Sequence, residues 1–70
     1  MDRTNVQSSN INSIGYEDST GTLEVEFKGG GIYKYSKVPK DVFLKFMSAS
    51  SHGKYFNKVI MGKYPTAKLR

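Results

Sequence analysis

The stretch Thr22–Tyr35, TLEVEFKGGGIYKY, restricts the fold more than any other. Leu23, Val25 and Phe27 alternate with Glu24 and Glu26, the period of a strand with one wet and one buried face. Three glycines follow, and then Ile32-Tyr33-Lys34-Tyr35, whose β-branched and aromatic residues favour a second strand. The pattern predicts a β-hairpin, and its register decides what the two tyrosines are for. With a two-residue turn at Gly29-Gly30, Phe27 faces Ile32, Val25 faces Lys34, and both tyrosines lie beside the glutamates. With a three-residue loop Lys28-Gly29-Gly30, in which Gly30 is left-handed in a G1 bulge, Phe27 faces Gly31, Val25 faces Tyr33 and Leu23 faces Tyr35. The first register buries an unpaired lysine ammonium, whereas the second buries two rings whose hydroxyls reach the rim. Burial cost favours the second, with the tyrosines in the core rather than forming an exposed stacking platform.

The sequence around this hairpin supplies a third strand and a helical cover. Residues 1–10 are mostly polar and are expected to form a flexible arm. Ile11–Glu17 reads as a strand joined to the hairpin through the turn residues Asp18-Ser19-Thr20-Gly21. Pairing Glu17 with Thr22 sets Tyr16 opposite Leu23 and Ile14 opposite Val25, so one face stays apolar throughout. The other face, with Asn12, Ser13, Glu24, Glu26 and Lys34, is expected to be wet. Val38-Pro39 ends the sheet, and Val42, Phe43, Phe46 and Met47 then mark a helix over 39–49. Ser50 or Ser51 is a candidate cap for a second helix running to about Met61, with Tyr55, Phe56, Val59 and Ile60 inward and Gly62 as its stop. The expected architecture is α+β: a three-stranded antiparallel meander followed by two short helices packed on one sheet face. Residues 11–62 form the domain, and 63–70 a basic tail in which Tyr64 can fold back.

Seventy residues allow one small domain, with only about 60% of the unfolded surface buried. Four Phe and five Tyr offset that handicap, because each ring carries a large buried area. There is no cysteine, hence no disulfide or thiolate chemistry, and no apolar run long enough to span a bilayer. A cytoplasmic monomer is expected. Charge is uneven: residues 1–35 hold three basic groups against five acids, and residues 36–70 hold eight against Asp41 alone. The net charge of +5 is thus +7 on the second half offset by −2 on the first, an asymmetry that points to an anionic partner.

Catalysis has little to stand on. His52 is the sole histidine, shares the apolar face of the second helix, and has no acid near it in sequence to orient it. No metal site or cofactor is expected, and the chain is expected not to be an enzyme. The glycine run lacks the Lys-Ser/Thr and the following helix of a phosphate loop, so turn geometry explains it. The basic half carries more. Lys54 and Lys58 lie four apart with Asn57 between them, and Lys63, Lys68 and Arg70 continue the charge. Lysines with an amide and nearby tyrosines suit phosphate contact plus base stacking, although lysines that merely solvate a helix face give the same pattern. The candidate nucleic-acid-binding residues are Lys54, Asn57, Lys58, Lys63, Tyr33 and Tyr35, with tRNA or single-stranded RNA as the partner. The alternative is a protein partner, in a regulatory role, held through Leu44 and Met61, which fall outside the apolar stripes, or through a sheet edge.

The ordered segments SSNINSIGYE, TLEVEF, YKY, VPKDVF and SASSHGKYFNKVI together resemble the KTSC domain, over roughly Arg3 to Tyr64. That family occurs at the C-terminus of some lysyl-tRNA synthetases and as short stand-alone bacterial and phage proteins, and this chain looks like the stand-alone form. Its Tyr-x-Tyr motif maps onto Tyr33 and Tyr35. Its Ser-x-Gly-x-x-Phe-Asn segment maps onto Ser51, Gly53, Phe56 and Asn57. The resemblance implies RNA binding through the synthetase context.

Overall fold

The hairpin that dominates the sequence also sets the register of the sheet. In the computed structural model, which describes residues 2–70, Leu23 pairs with Tyr35 and Val25 with Tyr33. This is the three-residue-loop register. Phe27 N–H donates to Gly31 O and Gly30 N–H to Phe27 O, both at 3.0 Å. Gly30 has φ 104°, a region closed to most side chains. The strands on either side pair as the alternation requires, with Tyr16 opposite Leu23 and Ile14 opposite Val25.

The sheet has five strands rather than the three expected. They are β1 (Arg3–Asn5), β2 (Ile11–Glu17), β3 (Thr22–Phe27), β4 (Ile32–Tyr35) and β5 (Thr66–Lys68), antiparallel and in chain order. The two additions are segments expected to lie outside the domain as arm and tail. Both are three residues long and exposed along their whole length, so no alternation marks them; they are strands because β2 and β4 offer free edges. A register shift between Ile11 and Ser13 turns β2 at Asn12.

Helix α1 (Lys40–Ser48) buries Phe46 fully and half-buries Val42, Phe43 and Met47, the stripe read from the sequence. Ser51 caps the second helix, its Oγ accepting from Lys54 N–H at 3.3 Å. That helix is not uniformly α. After α2 (His52–Tyr55) the chain widens into a π-helical turn, Phe56–Ile60, closed by Met61 N–H donating to Phe56 O at 2.9 Å. The wider turn buries Phe56 and Ile60 together against Ile11, Ile14, Leu23, Val25, Tyr35, Val38 and Phe46. Nothing in the 3.6-residue stripe announces it, because Phe56 and Ile60 are four apart in either geometry. Tyr64 packs back on the core as expected.

The outer face of the sheet is polar and largely self-satisfied. Arg3 pairs with Glu24 at 2.8 Å. Glu26 accepts from Ser13 Oγ at 2.8 Å and Asn12 Nδ2 at 3.0 Å, which holds its carboxyl below the ordinary value. Ser13, expected on a wet face, is only 2% exposed, flanked by Asn5 of β1 on one side and bonded to Glu26 of β3 on the other.

Candidate nucleic-acid interface

Strand β5 does more than lengthen the sheet. It places Thr66 beside Tyr35 and Lys68 beside Tyr33 on the face that looks toward the helices. The π-helical turn stands over the same end of the sheet. Between them lies an open groove of about 500 Å³, lined by Phe27, Gly30, Tyr33, Tyr35, Phe56, Asn57, Met61, Gly62 and Thr66. Within it Phe27 meets Tyr33 and Phe56 edge to face, at 5.7 and 5.3 Å between centroids, and Phe56 meets Tyr35 likewise at 5.6 Å.

The tyrosines divide into two kinds. Tyr16 stacks on Phe43 with 9° between ring planes, and its hydroxyl donates to Val38 O at 2.6 Å. Tyr55 stacks on Phe46, and its hydroxyl donates to Val42 O. Those rings and hydroxyls are spent on the fold. Tyr33 and Tyr35 are not stacked on another ring, and among the described residues neither hydroxyl has a hydrogen-bond partner. Tyr35 is nevertheless 4% exposed, and burial, with Tyr33 beside it, pushes its phenol up to about 12. Both rings thus belong to the core side of the sheet, as the register argument requires, and both also form the groove wall.

Five of the six candidate residues fall into two groups. Tyr33, Tyr35 and Asn57 meet in the groove. Lys54 and Lys58 line a second open hollow, about 410 Å³, with Ala49, Ser50, Ser51 and Tyr55. Lys63 is exposed next to Gly62 and lines neither. Asn57 and Lys58 are consecutive, so the two depressions flank one helical segment. Among the described residues the ion pairs are Arg3–Glu24 and Lys40–Asp18, so Lys54, Lys58 and Lys63 carry uncommitted charge. Of the rest of the expected row, Lys68 stands beside Tyr33 on the groove face, while the Arg70 guanidinium adds slightly to the effects that hold the Glu26 carboxyl below its ordinary value. Phe27, Phe56, Met61 and Thr66 were absent from the sequence-based set. Phe56 stood in the core stripe, and Thr66 enters only through the unmarked strand β5.

His52 packs at the rim of the core, edge-on to Phe46, with Nε2 3.2 Å from Met47 O. That carbonyl can only accept, so Nε2 carries the proton and the buried Nδ1 has no partner among the described residues. Among the described residues, no group of three His, Cys, Asp or Glu gathers to hold a metal, and no helix is long and apolar enough to cross a membrane.

The model of the KTSC domain matches residues 7–64. The chain belongs to the KTSC domain family. It is 42% identical over 59 residues to an uncharacterized protein of Stutzerimonas stutzeri, covering 84% of this chain and 83% of that one. It is equally similar, over 84% of its length, to a lysine–tRNA ligase of Nostoc punctiforme, of which the match spans only 10%. The crystal structure of a KTSC domain protein from Yersinia pestis superposes with a TM-score of 0.97 at 42% identity, covering 99% of this chain and 97% of that one. KTSC modules thus occur both in short proteins and within tRNA ligases. In this one, the tyrosines and the Phe56-Asn57 pair that carried the resemblance converge on the groove.

Proposed function

We propose that this KTSC chain is a non-catalytic module that binds single-stranded RNA across the second helical segment, with phosphates on Lys54 and Lys58 and base stacking in the groove beside them. The observation that carries this reading is the adjacency of two uncommitted lysines to an open groove in which Phe27 and Tyr33 keep part of their rings exposed. Salt-sensitive cations with sequence-tolerant stacking are the common device of single-strand binding. The lysine–tRNA ligase relatives, named for an enzyme that acts on tRNA, lend the same direction. Lys63, one residue past Gly62 of the groove lining, extends the cationic side.

The test is an NMR titration of labelled protein with tRNA and with a short single-stranded RNA at low salt. Shifts confined to the Lys54–Gly62 segment and to Tyr33 and Tyr35, fading as salt is raised, are the expected result. No shift with either RNA overturns the reading. A stoichiometric protein partner recovered from nuclease-treated lysate, and lost when Leu44 or Met61 is replaced, would favour the protein-contact alternative. Those side chains are 53% and 55% exposed.

A further inference from the structure

The groove carries a narrower statement than RNA binding. Its aromatic residues meet only edge to face, whereas the rings elsewhere in the core include two nearly parallel stacked pairs, Tyr16–Phe43 and Phe46–Tyr55. Each edge-to-face contact covers one face of one ring only, and Phe27 and Tyr33 are half-exposed, so the groove keeps ring surface open to a planar guest. Asn57 is exposed and lines the same groove as Tyr33 and Tyr35, neither of whose hydroxyls has a partner among the described residues. A carboxamide presents one donor and one acceptor side by side, the complement of a nucleobase edge. The π-helical turn is what aims it. Phe56 and Ile60 take the buried side of that turn, while Asn57 and Met61, also four apart, take the groove side. Single π-turns of this kind recur at functional sites.

We infer that the groove holds one unpaired nucleobase and that Asn57 reads its edge, which makes Asn57 the residue that sets base preference. This rests on the RNA reading above. Lys54 and Lys58 lie in the neighbouring hollow and touch no base in this arrangement, so they supply affinity without discrimination. A duplex keeps its bases stacked and its pairing edges occupied, so the groove favours a single strand.

The experiment measures fluorescence anisotropy with four labelled homopolymeric RNA octamers and one RNA duplex, at low salt, for the wild type and three variants. The wild type is expected to bind one homopolymer about tenfold more tightly than the weakest, and the duplex more weakly than the preferred strand. Asn57→Ala should level the four affinities, Asn57→Gln should restore part of the preference, and Lys58→Ala should weaken all four alike. Unchanged thermal unfolding of the Asn57 variants, whose side chain is exposed, separates lost reading from lost fold. Equal affinities in the wild type, a preference that survives Asn57→Ala, or a duplex bound as tightly as the best strand would each overturn the inference while leaving RNA binding in place. Failure of every RNA to bind overturns the RNA reading, and this inference with it.

Discussion

Tyr35 shows how one side chain serves both fold and groove. Its ring is buried against Phe56 while its hydroxyl has no partner among the described residues, so ionising it places a phenolate where solvation is poor. Its phenol is raised to about 12 from an ordinary 10.0. A raised acid contributes stability that is complete below the unfolded value and is lost as pH climbs through the folded one. The fold should therefore weaken between about pH 10 and 12, and tyrosinate absorbance should show a late phase that Tyr35→Phe removes. Lys37 carries a different strain. It has φ 62°, left-handed and unusual for a lysine, in the tight passage from β4 to α1. Lys37→Gly should raise stability by up to about 1 kcal/mol in denaturant unfolding, because relief of the Cβ clash outweighs the glycine's extra entropy in the unfolded chain. A lower midpoint would show that the lysine stem packs usefully there. Neither feature was legible beforehand: a strand register predicts which face a tyrosine takes, but not whether its hydroxyl finds a partner.

The elements that the sequence does specify are those with a face to bury. Alternation over Leu23, Val25 and Phe27, the glycine run and the tyrosines together settle β2–β3–β4 down to the pairing of single residues. The apolar stripes likewise place both helices. Strands β1 and β5 escape because an edge strand of three exposed residues is held by backbone hydrogen bonds, which any sequence can make. With β5 unseen, one wall of the groove was missing, and the tyrosines could be assigned to the core but not also to a site. The second helix shows how a terminal contact fixes an element. Gly53 lies so close to Asn10 that a Cβ there would sit 2.7 Å from Asn10 Oδ1, itself hydrogen-bonded to Ser8 Oγ. In an ordinary helix Gly→Ala is favourable by about 1 kcal/mol. Here Gly53→Ala should gain less than that, because the Asn10 side chain must swing away and give up its hydrogen bond from Ser8. In an Asn10→Ala background the same substitution should regain the helical benefit. A double-mutant cycle read by urea unfolding measures that coupling, and additive changes would show the contact to be slack.

Across the whole molecule, the charge asymmetry of the sequence becomes a division of labour between two surfaces. Of the acids of the first half, two are held on the outer sheet face, where Glu24 meets Arg3 and Glu26 accepts from Ser13 and Asn12, and Asp18 pairs with Lys40. That face is consequently close to balanced. On the helical side Lys54, Lys58 and Lys63 have no acidic partner among the described residues, so the positive field concentrates around the segment that separates the two hollows. The expected row from Lys54 to Arg70 is thus divided: Lys68 stays beside Tyr33 on the groove face, whereas Arg70 acts on Glu26. Two lysines beside the groove imply few phosphate contacts and a measurable but modest dependence on salt. Each phosphate neutralised on a single strand contributes about 0.7 to the slope of log affinity against log salt. If Lys54 and Lys58 each hold one phosphate, replacing both by alanine should flatten that slope by about 1.4 and weaken every RNA sequence alike, with unfolding little changed because both side chains are exposed. Replacing Arg70 should leave the slope where it was. A slope that falls equally for Arg70→Ala and for the lysine pair would mean that the protein attracts RNA through net charge alone, with no localised cationic surface behind the groove.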